Sequence, residues 1–137
     1  MAEPYLDIPI GDDSSVGEAR RAAVRLAGEL GFDEVASGRV AIVATELGTN
    51  LARHARRGRI LLGCHDAAGA RSLEILALDH GPGMADVNSC LVDGFSTSGT
   101  PGTGFGAVQR MADEFSVYSR PGAGTVIAAR VAPPDPA

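Results

Sequence analysis

The sequence predicts an α+β fold: a two-layer α/β sandwich in which a mixed, mainly antiparallel sheet carries helices on one face. Three observations lead there. The elements read in the order β, α, α, β, β, long loop, α, β, β, which lacks the strict alternation of a doubly wound parallel sheet. Two pairs of strands are each joined by a short glycine-containing turn, the mark of hairpins. Each helical segment carries one apolar stripe, so each has a single face to bury.

The elements follow in order. Tyr5 to Ile10 alternates apolar and polar side chains and reads as an edge strand, limited by Pro4 and Pro9. Ser15-Val-Gly-Glu18 fits a capping box with Ser15 as N-cap. Val16, Ala19, Ala23, Leu26, Ala27 and Leu30 then recur at helical spacing, and Gly31 is the expected stop. Arg20, Arg21, Arg25 and Glu29 form the solvated face of that helix. A second helix is expected from about Asp33 to Arg56, with Val40, Val43, Leu47 and Leu51 as its stripe. Gly38 and Gly48 interrupt it, each at a cost of about 1 kcal/mol relative to alanine.

Arg59 to His65 and Arg71 to Asp79 read as two strands joined by Asp-Ala-Ala-Gly-Ala. In the second, Leu73, Ile75 and Ala77 face one way and Leu76 and Leu78 the other, which predicts a central strand. Residues 80 to 103 have no sustained period and are rich in Gly, Ser, Thr, Asp and Pro; so long a loop in a compact domain points to function. Phe105, Val108, Met111, Ala112 and Phe115 restore helical spacing. Strands at about 114–119 and 125–131 follow, joined by Arg-Pro-Gly-Ala-Gly. One domain is expected over residues 1–137, with the tail 132–137 disordered.

Composition narrows the chemistry. The chain has 45% hydrophobic and 21% charged residues, ordinary for a soluble globular protein. No apolar run reaches the roughly 18 residues of a membrane span. The N-terminus lacks the basic and then apolar order of a signal peptide. Cys64 and Cys90 stand alone, so the reading is a reduced, cytoplasmic protein. A net charge of −5 argues against nucleic acid as a partner. His54, His65 and His80 are scattered and begin no metal motif. All twelve basic residues are arginine. That absence of lysine removes the P-loop, the lysine-dependent kinase signature and Schiff-base chemistry. A nucleotide would have to be held by arginine, metal ion and backbone N–H groups.

Three short motifs carry the chemistry. In Thr45-Glu46-Leu47-Gly48-Thr49-Asn50, Glu46 and Asn50 are one turn apart on one helix face, with Arg53 and His54 further along it. A carboxamide oxygen is a hard, neutral Mg²⁺ ligand, and a carboxylate can accept a proton from an attacking hydroxyl. An exposed polar face would look the same. Asp79-His80-Gly81-Pro82-Gly83 puts a carboxylate at a strand end, able to accept from an exocyclic amino group, with glycines that permit close approach of a ring. A plain Asp-Xaa-Gly turn is the alternative. Gly102-Thr103-Gly104-Phe105-Gly106 opens a helix, where unpaired N–H groups and the positive helix end can hold an anion. Gly102, Gly104 and Ala107 also match a dinucleotide fingerprint, but a polar loop rather than a strand precedes them. A glycine hinge with no ligand is the remaining reading.

In this order the three motifs resemble the GHKL ATP-binding superfamily of gyrase, Hsp90, histidine kinases and MutL, over residues 5–131. The chain is most similar there to the small serine kinases of bacterial partner-switching systems, the RsbT-like and anti-sigma-factor kinases, on Thr45 to Asn50 and His54-Ala55. The resemblance implies a Bergerat-type sandwich with ATP and Mg²⁺ as cofactors. Asn50 would hold Mg²⁺, and Glu46 would be the catalytic base for a partner's Ser or Thr hydroxyl. Asp79 would read the adenine amino group, with Gly81 and Gly83 beside the ring. Gly102, Thr103, Gly104, Phe105 and Gly106 would bind the nucleotide at its phosphates, and Thr125 would help bind adenine. Residues 84–101 would form the ATP lid. The implied substrate is a small STAS-like antagonist protein, with a sigma factor or phosphatase as a second partner. An ATP-gated anti-sigma or phosphatase-activating module with little kinase activity is the alternative, and an ATPase module of a larger signalling enzyme is a third.

Overall fold

The computed structural model describes residues 4–54, 58–67, 70–80, 105–120 and 122–133. The chain runs β1 (Leu6–Ile10), α1 (Asp13–Glu29), α2 (Glu34–His54), β2 (Gly58–Ala67), β3 (Ala70–Asp79), α3 (Phe105–Met111), β4 (Glu114–Arg120) and β5 (Gly124–Val131). The strands form one sheet in the order β1-β2-β3-β5-β4. β3 is central, as its two apolar faces predict, and β1 lies at an edge, where Pro9 is tolerated.

Every described strand pair is antiparallel, where the sequence allowed a mixed sheet. Connectivity explains this. Two helices between β1 and β2 return the chain to the end it left, so β2 runs back along β1. β3 and β4 run the same way, but β5 inserts between them.

The helices cover one face of the sheet. Ile60 and Leu62 of β2, Leu73, Ile75 and Ala77 of β3, and Ile127, Ala129 and Val131 of β5 are buried with Val40, Val43, Leu47 and Leu51 of α2. Gly48 is explained here: a Cβ on it would sit 3.1 Å from a Val16 methyl, so the residue lets α1 and α2 approach closely. Gly38 has no such reason, since a Cβ there would meet nothing within 4 Å.

Two helix boundaries differ from the expected spacing. The N-cap of α1 is Asp12, not Ser15. The Ser15 amide donates to Asp12 Oδ1 at 2.9 Å, and the Ser15 hydroxyl accepts from the Asp12 amide at 3.1 Å. Both residues are good caps; the box closes one turn earlier because Asp12 and Ser15 are themselves three residues apart and satisfy each other. Gly31, at φ +81°, ends the helix as expected. α2 begins after Asp33, whose carboxylate accepts from the Ala36 amide at 2.9 Å. It is described to His54, the expected residues to Arg56 lying outside the described ones. Phe115, which fits both the helical spacing and the strand expected at about 114–119, belongs to β4 and pairs with Ala129. The Asp113 amide donates to the Arg130 carbonyl at 2.8 Å, pulling the chain onto the sheet before another helical turn can form.

The far face of the sheet holds an ionic chain centred on the buried Glu74. The Tyr5 ring packs against Gly63, where an added Cβ would overlap its ring carbons. Its hydroxyl donates to Glu74 Oε1 at 2.6 Å. Arg130 donates from Nε to Glu74 at 2.7 Å and from its terminal nitrogen to Glu114 at 2.6 Å. Burial pushes the Glu74 carboxyl up, but the hydrogen bonds from Tyr5 and Arg130 outweigh it and hold the group below the ordinary carboxylate range. Burial, then the bond to Glu74 and its charge, push the Tyr5 phenol up.

These directions set a pH dependence. The depressed Glu74 contributes stability above its unfolded pKa that is lost as pH falls through its folded value. The raised Tyr5 contributes below its unfolded pKa and loses that as pH rises through its folded value. Glu74→Gln is therefore expected to cost about 2 kcal/mol at neutral pH and to flatten the acid limb of the stability profile. Urea unfolding between pH 3 and pH 8 measures both; parallel profiles for mutant and wild type would refute the assignment.

Candidate functional site

The expected site residues that are described come from α2, the end of β3 and the start of β5. Connectivity places them at one end of the sandwich. α2 is followed at Gly58 by β2, whose next residue, Arg59, pairs with Leu78, the neighbour of Asp79. The C-terminal half of α2, with Glu46, Asn50 and Arg53, therefore lies at the sheet end that carries Asp79. α2 also packs across β2, β3 and β5.

At that end Asp79 pairs with Thr125 in the β3–β5 ladder. Thr125 is buried at 7% exposure, and its hydroxyl lies 2.8 Å from the Ser119 hydroxyl. The Ser119 hydroxyl also lies 3.3 Å from the Gly124 carbonyl. Gly124 adopts φ +113°, and a Cβ there would overlap the Asp79 carbonyl oxygen. Only glycine lets the β4–β5 hairpin close this tightly on the end of β3. A cleft of about 570 Å³ opens here, with Asp79, Ser119, Gly124 and Thr125 among its lining residues. It has the size of a small-molecule site.

On α2 the side chains of Glu46 and Asn50 are half-buried and one turn apart. Neither hydrogen-bonds to a described residue, so both have capacity for a ligand. Arg53, the next turn along, is exposed. Among the described residues no cluster of three or more His, Cys, Asp or Glu could bind a metal by itself. The Asn50 carboxamide oxygen is a hard, neutral donor of the kind Mg²⁺ accepts beside water and phosphate oxygens.

Gly106 lies in the first turn of α3, with Phe105 opening that helix. Gly81, Gly83, Gly102, Thr103, Gly104 and the segment expected as a lid, 84–101, lie outside the described residues. Ser119 and Gly124 are members of this end that the sequence reading did not single out. The signal for Gly124 was present in the Arg-Pro-Gly-Ala-Gly turn, whose last glycine must be the first residue of β5. Ser119 carried no signal of its own, because only the β4–β5 register sets it beside Thr125.

Comparison with known proteins agrees with this architecture. Residues 11–131 match the family model described as the histidine kinase-like ATPase domain. The chain is also 40% identical over 111 residues to the serine/threonine-protein kinase RsbT of Bacillus subtilis (strain 168), covering 81% of this chain and 84% of that protein. An α+β architecture with helices on one face of a five-stranded antiparallel sheet is consistent with such an ATPase domain. Matched over most of its length on both counts, the chain belongs to the histidine kinase-like ATPase domain family and, within it, to the RsbT-like serine/threonine protein kinases.

Proposed function

We propose that this kinase transfers the γ-phosphate of ATP to a serine or threonine of a small STAS-like antagonist protein, so that phosphorylation releases or redirects a second partner, a sigma factor or phosphatase. The setting is a cytoplasmic partner-switching pathway. The observation that supports the site assignment is that Glu46 and Asn50, which bond to no described residue, lie one turn apart on the half of α2 that leads to the sheet end where Asp79 pairs with Thr125.

In this reading Asp79 accepts from the adenine amino group, Thr125 supports the ring, and Gly81 and Gly83 give it room. Gly102, Thr103, Gly104, Phe105 and Gly106 hold the phosphates with backbone N–H groups, the role that a lysine fills elsewhere. Asn50 holds Mg²⁺, which when bound neutralises charge on the phosphate oxygens. Glu46 takes the proton of the partner's hydroxyl as its oxygen forms a bond to the γ-phosphorus; the bond to ADP breaks and ADP leaves. Residues 84–101 form the lid, and residues 1–137 act as one nucleotide-binding unit.

Incubation with labelled ATP and candidate antagonist proteins tests the reading. Label is expected on a serine or threonine of one of them. Asn50→Ala is expected to weaken nucleotide binding about tenfold or more in Mg²⁺ and to leave the weaker binding in EDTA unchanged. Equal losses in both conditions would remove Asn50 as the metal ligand.

A further inference from the structure

The face of α2 that carries Glu46 continues toward the helix N-terminus as an apolar surface. Val35 is 65% exposed and Ile42 is 42% exposed, two of the five large hydrophobic side chains left in solvent among the described residues. At about 100° per residue, Val35, Ile42, Glu46 and Arg53 fall within about 40° of one another. Gly38 is exposed between Val35 and Ile42, with open space where its Cβ would be. A glycine in an exposed helix interior is unfavourable, and neither φ nor internal packing requires this one. The result is a notch of bare backbone flanked by Val35 and Ile42. Arg39, on the Glu46 side of the notch, is half-buried and forms no ion pair or hydrogen bond with a described residue.

We propose that Val35, Gly38 and Ile42 form the docking surface for the protein that carries the phospho-accepting hydroxyl. This inference rests on the reading of Glu46 as the base. A hydroxyl that reaches Glu46 brings with it the protein around it. Ile42 lies about 6 Å and Val35 about 16 Å from Glu46 along the helix. A protein interface of about 800 Å² per partner has a radius of about 16 Å, so a substrate centred on Glu46 covers the whole notch. The chemistry that fits is an apolar side chain close to the accepting hydroxyl, entering at Gly38, with a carboxylate opposite Arg39.

The test first identifies the acceptor: the protein in an extract of the source cells that takes label from radioactive ATP with the wild-type chain and not with Glu46→Gln. That purified protein is then the probe. Ile42→Asp is expected to raise its KM about tenfold with kcat and MgATP binding unchanged. Gly38→Ala fills the notch, so it is expected to raise both the KM and the melting temperature, the latter by about 2–4 °C. That combination separates docking from damage to the fold. A KM within twofold of wild type in both variants would overturn the docking surface while leaving the kinase reading intact. A self-association of the wild-type chain that Ile42→Asp abolishes, with KM unchanged, would assign the face to a second copy and overturn it too. Absence of any labelled protein from a wild-type chain that binds MgATP would overturn the phosphotransfer reading and this surface with it.

Discussion

Replacing Glu46 by glutamine is expected to slow phosphotransfer to the acceptor protein about 10²–10⁴-fold while MgATP binding stays near wild type. Glutamine keeps the size and the helical preference of glutamate but cannot take a proton. The Glu46 side chain is half-buried and bonded to no described residue, so among the described residues no partner is lost with the charge. Single-turnover transfer of labelled phosphate at saturating ATP reports the chemical step, and a fluorescent nucleotide reports binding. Transfer at the wild-type rate would show that Glu46 is not the base. A parallel loss of nucleotide binding would move it from proton acceptor to ligand of the nucleotide.

The second large effect is on stability. Gly124→Ala is expected to destabilise the fold by about 3 kcal/mol, the sum of a left-handed backbone and a forced separation of strands. For a chain of this length that corresponds to a fall in melting temperature of about 10 °C. The added Cβ would overlap the Asp79 carbonyl oxygen, so β3 and β5 must part where Asp79 faces Thr125. Nucleotide binding is expected to fall with it. Gly122→Ala is the control: it sits at φ +79° in the same turn but meets nothing within 4 Å. Its cost is expected to be about 1 kcal/mol, without an effect on binding. Equal melting temperatures for the two variants would show that the closure of the hairpin on Asp79 does not matter.

Much of the fold was legible because its signals are local. The alternation in β3 and its buried set Leu73, Ile75 and Ala77 follow from a period of two, and the α2 stripe follows from 3.6. The errors also have local causes. Asp12 and Ser15 are both good caps, and helical spacing alone cannot tell that Phe115 has passed onto a strand. Both were settled by bonds the linear pattern does not contain, the reciprocal Asp12–Ser15 pair and the Asp113 amide on the Arg130 carbonyl.

Residue types and their spacing were sufficient to determine the alphabet of this protein: two hairpins, amphipathic helices, a Glu and an Asn one turn apart, an Asp at a strand end, and no lysine. Chain folding decided which of them meet. Tyr5 and Glu74 are 69 residues apart and Glu74 and Arg130 are 56 apart, yet they form one chain of hydrogen bonds across the sheet. Asp79 meets Thr125 only because β5 inserts between β3 and β4, whereas Thr125 meets Ser119 through the register of the β4–β5 hairpin. Spacing along one helix or strand is set by covalent geometry and is therefore written in the sequence. Adjacency between strands depends on their order and register, which are set by burying one face of the whole sheet at once.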